Sequence, residues 1–183
     1  MDIWTSLAAY SFVETQRLFL RPLTYLDADD FFDISGNPDQ LDFIFPAHFS
    51  KKESDYLLTH TFLKNPLGIW AICSKNKNQM IGVIRLENLN QRHLSAEISY
   101  FLHKDYRGQG YMTEALKTLV FLCFQEFSFK KLFIITHLEN TISQKLAQKV
   151  GFKMLHAYKG SDRYSHKMRH YLKYQLQSGD DHE

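Results

Sequence analysis

The chain has 183 residues, 44% of them apolar, enough for one compact domain to bury a full core without disulfides or metal. Lys and Arg number 22 against 20 Asp and Glu, a net charge of +2, so the overall field argues for neither nucleic acid nor an anionic membrane as a partner, and any phosphate recognition must be local. Cys73 and Cys123 both fall inside patterned segments and read as buried thiols, which suits a reducing cytoplasm.

Residues 1–12 read as an N-terminal extension, a short helix or a loose segment. Its apolar residues Trp4, Leu7, Tyr10 and Phe12 are broken by polar ones, a pattern unlike a signal peptide or a membrane span. A single domain is expected over 13–177, with a polar, acidic and disordered tail over 178–183. Residues 18–23 form the first predicted strand, closed at an edge position by Pro22. Thr24 precedes Asp27 by three, the spacing of a capping box, and Ala28, Phe31, Phe32 and Ile34 give the following short helix a buried side. Ser50 and Glu53 repeat that signal for a second helix, whose apolar residues are Tyr56, Leu57, Phe62 and Leu63. Between these helices, 41–49 holds Phe43, Ile44, Phe45, Pro46 and Phe49 without a helical period. That segment reads either as a loop packing its own side chains or as one wall of a binding pocket.

Residues 69–74 and 80–86 are apolar runs of strand length joined by a polar hairpin connection, and 88–93 is a second polar turn. Next comes a strand in which Ala96, Ile98, Tyr100 and Leu102 alternate with Glu97, Ser99 and Phe101, so three antiparallel neighbours are expected. The stretch that follows, Tyr106-Arg107-Gly108-Gln109-Gly110-Tyr111-Met112, leads into a helix whose stripe is Met112, Ala115, Leu116, Leu119, Val120, Cys123, Phe124 and Phe127. A glycine-rich basic turn at a helix mouth can hold a phosphate through main-chain N–H groups that lack intrahelical acceptors. No Gly-Lys-Ser/Thr follows, as a P-loop requires, and the third glycine of a dinucleotide fingerprint is missing.

Beyond that helix, 132–136 reads as a buried strand parallel to the one before it, because a helical crossover connects them. Asn140 caps another helix, with Ile142, Leu146 and Val150 inward and Gly151 at its exit. Residues 153–158 and 168–176 form a last strand pair. The histidines are scattered and neither cysteine has a Cys-x-x-Cys partner, so no metal constellation is expected; nor does anything mark a nucleophile elbow.

The glycine stretch resembles motif A of the GNAT superfamily, with Arg107 and Gly110 at its motif places and Met112 where the strict pattern has a small residue. Residues 14–23 (Glu-Thr-Gln-Arg-Leu-Phe-Leu-Arg-Pro-Leu), 80–84 (Met-Ile-Gly-Val-Ile), 139–143 (Glu-Asn-Thr-Ile-Ser) and 150–152 (Val-Gly-Phe) resemble, in order, the ribosomal-protein alanine N-acetyltransferase branch. The resemblance spans 13–176. It implies a mixed α/β fold, with a central, mostly antiparallel twisted sheet, a parallel splayed strand pair and flanking helices. It also implies acetyl transfer from acetyl-CoA to an amine, either a protein N-terminal residue or a small molecule. A catalytically silent CoA-binding sensor and an interaction domain of the same fold are the alternatives. Monomer and homodimer stay open.

By the same resemblance, Arg107, Gly108, Gln109, Gly110, Tyr111 and Met112 surround the pyrophosphate of the cofactor. Backbone groups of Phe101 and Leu102 line the pantetheine slot, and Asn140 lies beside the cofactor arm. Ser143 is placed to protonate the leaving thiolate, and Glu97 is the candidate general base, because an attacking amine must first lose its proton.

Overall fold

The computed structural model describes residues 1–37 and 50–180. The aromatic segment 41–49 lies outside the described residues. In chain order the elements are α1 (Ile3–Ala9), β1 (Val13–Glu14), β2 (Leu18–Arg21), α2 (Ala28–Ser35), α3 (Lys51–Leu57), β3 (Ile69–Ser74), β4 (Met80–Asn90), β5 (Ser95–Leu102), α4 (Tyr111–Gln125), β6 (Lys131–His137), α5 (Thr141–Lys149), β7 (Lys153–Ser161) and β8 (Met168–Gln177). The eight strands order as β1-β2-β3-β4-β5-β6-β8-β7. Among the described pairings only β5–β6 is parallel, so the expected mixed fold with a mostly antiparallel sheet is present. The chain divides into two compact units, Met1–Arg85 with Tyr100–Ala115, and Leu86–Ser99 with Leu116–Glu183.

In the first unit, the Asp2 carboxylate caps α1 by accepting the N–H groups of Trp4 and Thr5, and Leu7 is buried. The edge position expected near Pro22 belongs instead to β1. The chain before β2 folds back, so Leu20 pairs with Val13 on one side and Ile72 on the other. The capping box at Thr24 is present, and Asp27 also takes a two-pronged bond from the Arg21 guanidinium at 2.7 and 2.9 Å, tying β2 to the entry of α2. The Ser50–Glu53 box opens α3 as expected.

Past Leu57 the helix widens into a π-helical turn, Leu58–Leu63, which shifts its inward face. Leu58 and Phe62 are therefore buried, while Tyr56, expected to pack, is 66% exposed. Phe31, Phe62 and Phe101 meet edge-on with centroids 5.4 to 6.1 Å apart. That cluster corrects the simple alternation expected of β5: Phe101 and Leu102 are both buried, and Tyr100 is only half-buried.

In the second unit, β4 runs on through Asn90, with Asn88 at φ +50°, so the turn falls later than 88–93. Ser95, Ala96 and Glu97 pair in parallel with Lys131, Leu132 and Phe133, and the ladder ends there. β6 then pairs along its whole length with β8, and β8 with β7. Helix α5 buries Ala147 and Val150, whereas Ile142, expected inward, is 71% exposed. The three- and four-residue spacing that selects Ser143, Ala147 and Val150 as one face puts Ile142 about 100° away from Ser143. Gly151 at φ +103° ends the helix, and the Phe152 N–H closes onto Ala147 O at 2.9 Å. Ser178 to Asp180 form a turn in which the Ser178 N–H donates to Lys130 O.

Candidate active site

In the first unit the site grows from the end of β5. Strand β4 passes so close that a Cβ at Gly82 would stand 2.4 Å from Phe101 O and 3.1 Å from Leu102 Cα, so only glycine fits in the 80–84 stretch at this point. His103 then turns the chain. Its N–H donates to Ile81 O at 2.7 Å, its Nδ1 accepts the Asp105 N–H at 3.1 Å, and its Nε2 lies 2.7 Å from Asp33 Oδ2. With Nδ1 accepting, the proton sits on Nε2 and is donated to Asp33.

The glycine turn follows. Arg107 Nε donates to Leu102 O at 3.1 Å and Gln109 Nε2 to Asp105 O at 3.1 Å, which folds the turn back on the strand end. Gly108 and Gly110 take φ of +75° and +81°, values that L side chains rarely adopt. The first helical bond of α4 is Glu114 N–H to Gly110 O at 3.0 Å, so the N–H groups of Tyr111, Met112 and Thr113 precede any intrahelical acceptor. Gly110, standing before them, has no side chain to cap them with. This arrangement fits an anionic pyrophosphate. Met112, the departure from the small residue of motif A, puts its bulk into the core and is 7% exposed.

The brace of this turn carries no motif signal. Arg17 Nη1 donates to Gln109 O at 2.9 Å, its Nε to Glu114 Oε1 at 2.8 Å, and its backbone N–H to Glu114 Oε2 at 2.9 Å. The Thr15 hydroxyl adds a bond to Glu114 Oε2 at 2.5 Å, and the Arg17 guanidinium lies 4.5 Å from the Tyr111 ring centroid. Burial alone would raise the Glu114 carboxyl; the bonds from Thr15 and Arg17 outweigh it and hold the group below its usual range. Arg17 and Glu114 are 97 positions apart, and only the presence of Arg17 in the 14–23 stretch hints at a role.

The second unit holds the remaining candidates. The Asn140 side-chain oxygen accepts the Ser143 N–H at 3.2 Å, which brings these two together as the cap of α5. Glu97, on β5, accepts from Asn88 Nδ2 at 2.9 Å. Burial pushes its carboxyl above the usual range, the Asn88 bond pulls it back in part, the Glu87 charge raises it again, and Arg163 and Lys173 lower it. Glu87 itself is paired to Arg163 at 3.0 Å. A half-buried carboxylate with a raised pKa is a stronger base than an exposed one. Burial likewise pushes the Cys73 thiol up to about 11 and Cys123 well above its usual value, so neither is a ready thiolate. Among the described residues no group of three His, Cys, Asp or Glu could hold a metal, and no helix is long and apolar enough to cross a membrane.

A mostly antiparallel sheet with one short parallel pair, and an open helix mouth after the parallel strand, define an acetyltransferase of the GNAT type. The Acetyltransferase (GNAT) domain family matches residues 17–153, and the chain belongs to that family, whose members use acetyl-CoA. The chain is 26% identical over 148 residues to the uncharacterized N-acetyltransferase YoaA of Bacillus subtilis, covering 79% of this chain and 84% of that one. It is 29% identical over 76 residues to the ribosomal-protein-serine acetyltransferase of Escherichia coli, 42% of each chain, which supports the likeness to the ribosomal-protein branch. The structure of Mycobacterium smegmatis RimJ in complex with CoA-disulfide superposes with a TM-score of 0.74 at 18% identity, covering 88% of this chain and 82% of that one.

Proposed function

We propose that the protein moves an acetyl group from acetyl-CoA to a primary amine, a protein N-terminal residue or a small amine, by direct attack through a tetrahedral intermediate. The observation that carries this is the braced glycine turn, which offers the N–H groups of Tyr111, Met112 and Thr113 ahead of any helical acceptor. Arg107, Gly108, Gln109, Gly110, Tyr111 and Met112 are assigned to the pyrophosphate. Backbone groups of Phe101 and Leu102 are assigned to the arm, where one N–H polarises the thioester carbonyl as negative charge develops. Glu97 takes the amine proton, directly or through water, Ser143 returns a proton to the departing thiolate, and Asn140 stands beside the arm. Direct attack is supported by the high pKa of both thiols, which removes the obvious nucleophile for a covalent acyl-enzyme. The name of the E. coli relative favours a protein over a small amine as the acceptor. Two buried free thiols support a cytoplasmic setting.

The test is free-thiol release from acetyl-CoA with a panel of peptides differing in their N-terminal residue and a panel of small amines, alongside calorimetry with CoA. Turnover with at least one acceptor is expected. CoA binding without turnover on any acceptor would replace the enzyme by a sensor, and failure to bind CoA would remove both.

A further inference from the structure

Of the five described non-glycine residues with positive φ, Asn88 at +50° is the one inside a strand; Asn78, Leu94, Ser128 and His166 lie in connections. A left-handed residue within a strand interrupts the regular alternation of side chains, and such backbone concentrates where a side chain has to be re-aimed. Asparagine adopts this conformation more readily than other residues with a side chain, at some cost in strain. At Asn88 the side chain so aimed has a definite target. It reaches from β4 to β5, where its Nδ2 donates to Glu97 Oε2 at 2.9 Å.

The groups around that carboxylate all belong to the second unit. Burial raises the Glu97 carboxyl, and the Asn88 bond is the largest influence in the other direction. Glu87, on β4, raises it, while Arg163, beyond β7, and Lys173, on β8, lower it; Tyr158, on β7, is itself pushed up in part by the Glu97 charge. Glu87 is bonded to Arg163 at 3.0 Å, so those two charges largely offset one another. Asn88 is the neutral member of this set and the one bonded to the carboxylate. Only the amide NH2 can donate to an ionised oxygen, so the bond favours the charged form of Glu97, the form that can take a proton.

We infer that Asn88 is a positioning residue for the general base: its amide holds Glu97 Oε2 and leaves Oε1 to receive the proton of the attacking amine. The inference rests on the assignment of Glu97 as base made above and adds the residue that keeps it aimed and ionised. As the amine N–H bond breaks and the Oε1–H bond forms, the nitrogen keeps the electron pair with which it attacks.

The test is the pH profile of kcat/KM, with an acceptor that turns over, for wild type, Asn88→Gly, Asn88→Asp and Glu97→Gln, together with melting curves. Glycine takes φ +50° freely and removes the amide, and aspartate tolerates that φ but sets a second carboxylate against the first. On the acid limb, kcat/KM should fall about 10-fold in Asn88→Gly and about 100-fold in Asn88→Asp. On the alkaline plateau both should stay within about 3-fold of wild type, and Asn88→Gly added to Glu97→Gln should change nothing further. Carboxyl-carbon NMR titration of Glu97, which needs no acceptor, should move to higher pH in Asn88→Gly. An unmoved titration, or a lower melting temperature in Asn88→Gly with the acid limb in place, would overturn the inference, the second by showing a purely structural role. Should Asn88→Asp not fold, the glycine variant alone decides. If Glu97→Gln loses kcat while both Asn88 variants keep the wild-type profile, the role of Asn88 falls and Glu97 remains the base. A Glu97→Gln variant with wild-type kcat removes the base, and the inference with it.

Discussion

The entry of α4 in the first unit and the entry of α5 in the second are both helix mouths, but they are built differently. At α5 the Asn140 side chain takes the Ser143 N–H, so part of the mouth is satisfied from within three residues. At α4 the residue before the helix is Gly110, the first three N–H groups go uncapped by it, and the turn is held from outside by Arg17, bonded to Gln109 O and to Glu114. A locally capped entry is a stable end of a helix; a remotely braced and uncapped one is a place for an anion. Under the proposed reading, the uncapped N–H groups of the first unit take the pyrophosphate, while the candidates for proton chemistry, Glu97 and Ser143, lie in the second.

The largest expected effect tests the chemistry side of that division. Glu97→Gln keeps shape and removes basicity, so kcat should fall about 10²- to 10⁴-fold while CoA affinity stays near wild type. The drop should be greatest at low pH and recover in part as rising pH deprotonates the amine in solution. Because the folded carboxyl titrates above its usual range, the stability tied to its protonated form is present at low pH and lost as pH rises through that raised value. Glu97→Gln should accordingly melt no lower than wild type at pH 7, with any gain vanishing below the usual carboxylate range. A variant with wild-type kcat and an unaltered pH profile would take Glu97 out of the mechanism.

Gly110→Asp attacks the other side, placing a side chain at φ +81°, a Cβ 3.3 Å from Arg17 Nη2, and a negative charge at the mouth. CoA affinity should fall by about 100-fold, equivalent to about 2.7 kcal/mol, and Gly110→Ala, which adds strain without charge, by about 10-fold. Calorimetry showing unchanged affinity in the folded aspartate variant would move the cofactor elsewhere. Glu114→Ala removes the acceptor shared by Thr15 and Arg17 and should cost about 1–2 kcal/mol, a figure discounted because Arg17 is 41% exposed. The Glu114 carboxyl is held low, so its contribution is present above the usual carboxylate range and lost as pH falls through the depressed value. Melting curves of variant and wild type should hence differ most at neutral pH and converge in acid. A gap that persists in acid would show that the brace acts through packing rather than charge.

Legibility followed the range of the interactions. The capping boxes at Thr24 and Ser50, the Asn140 cap and the glycine turn are each written within a few residues, and all were readable. The parallel relation of β5 and β6 was readable because a helical crossover leaves little choice. What escaped depends on partners distant in sequence. Arg17 and Glu114 share no periodicity, and Phe101 is buried because Phe31 and Phe62 meet it. Ile142 is exposed against expectation for a related reason, since a short helix offers several rows of apolar residues and packing alone chooses one.

The smallest expected effect lies at α5, where capping and catalysis can be separated. Asn140 accepts the Ser143 backbone N–H, which leaves the Ser143 hydroxyl outside that particular bond. Asn140→Ala should cost about 1 kcal/mol, the usual loss of a cap, and Asn140→Asp should restore most of it because a carboxylate caps as well. In a chain of 183 residues that loss lowers the melting temperature by about 2–4 °C. Ser143→Ala leaves the backbone N–H in place, so the cap survives and the melting temperature should stay within about 1 °C of wild type. Its effect should instead appear in kcat, by about 10-fold and more with a poor leaving thiol than with a good one, since a proton donor matters most where the leaving group is basic. If Ser143→Ala turns over normally while Asn140→Ala loses only stability, both residues belong to the helix cap and the thiolate takes its proton from water.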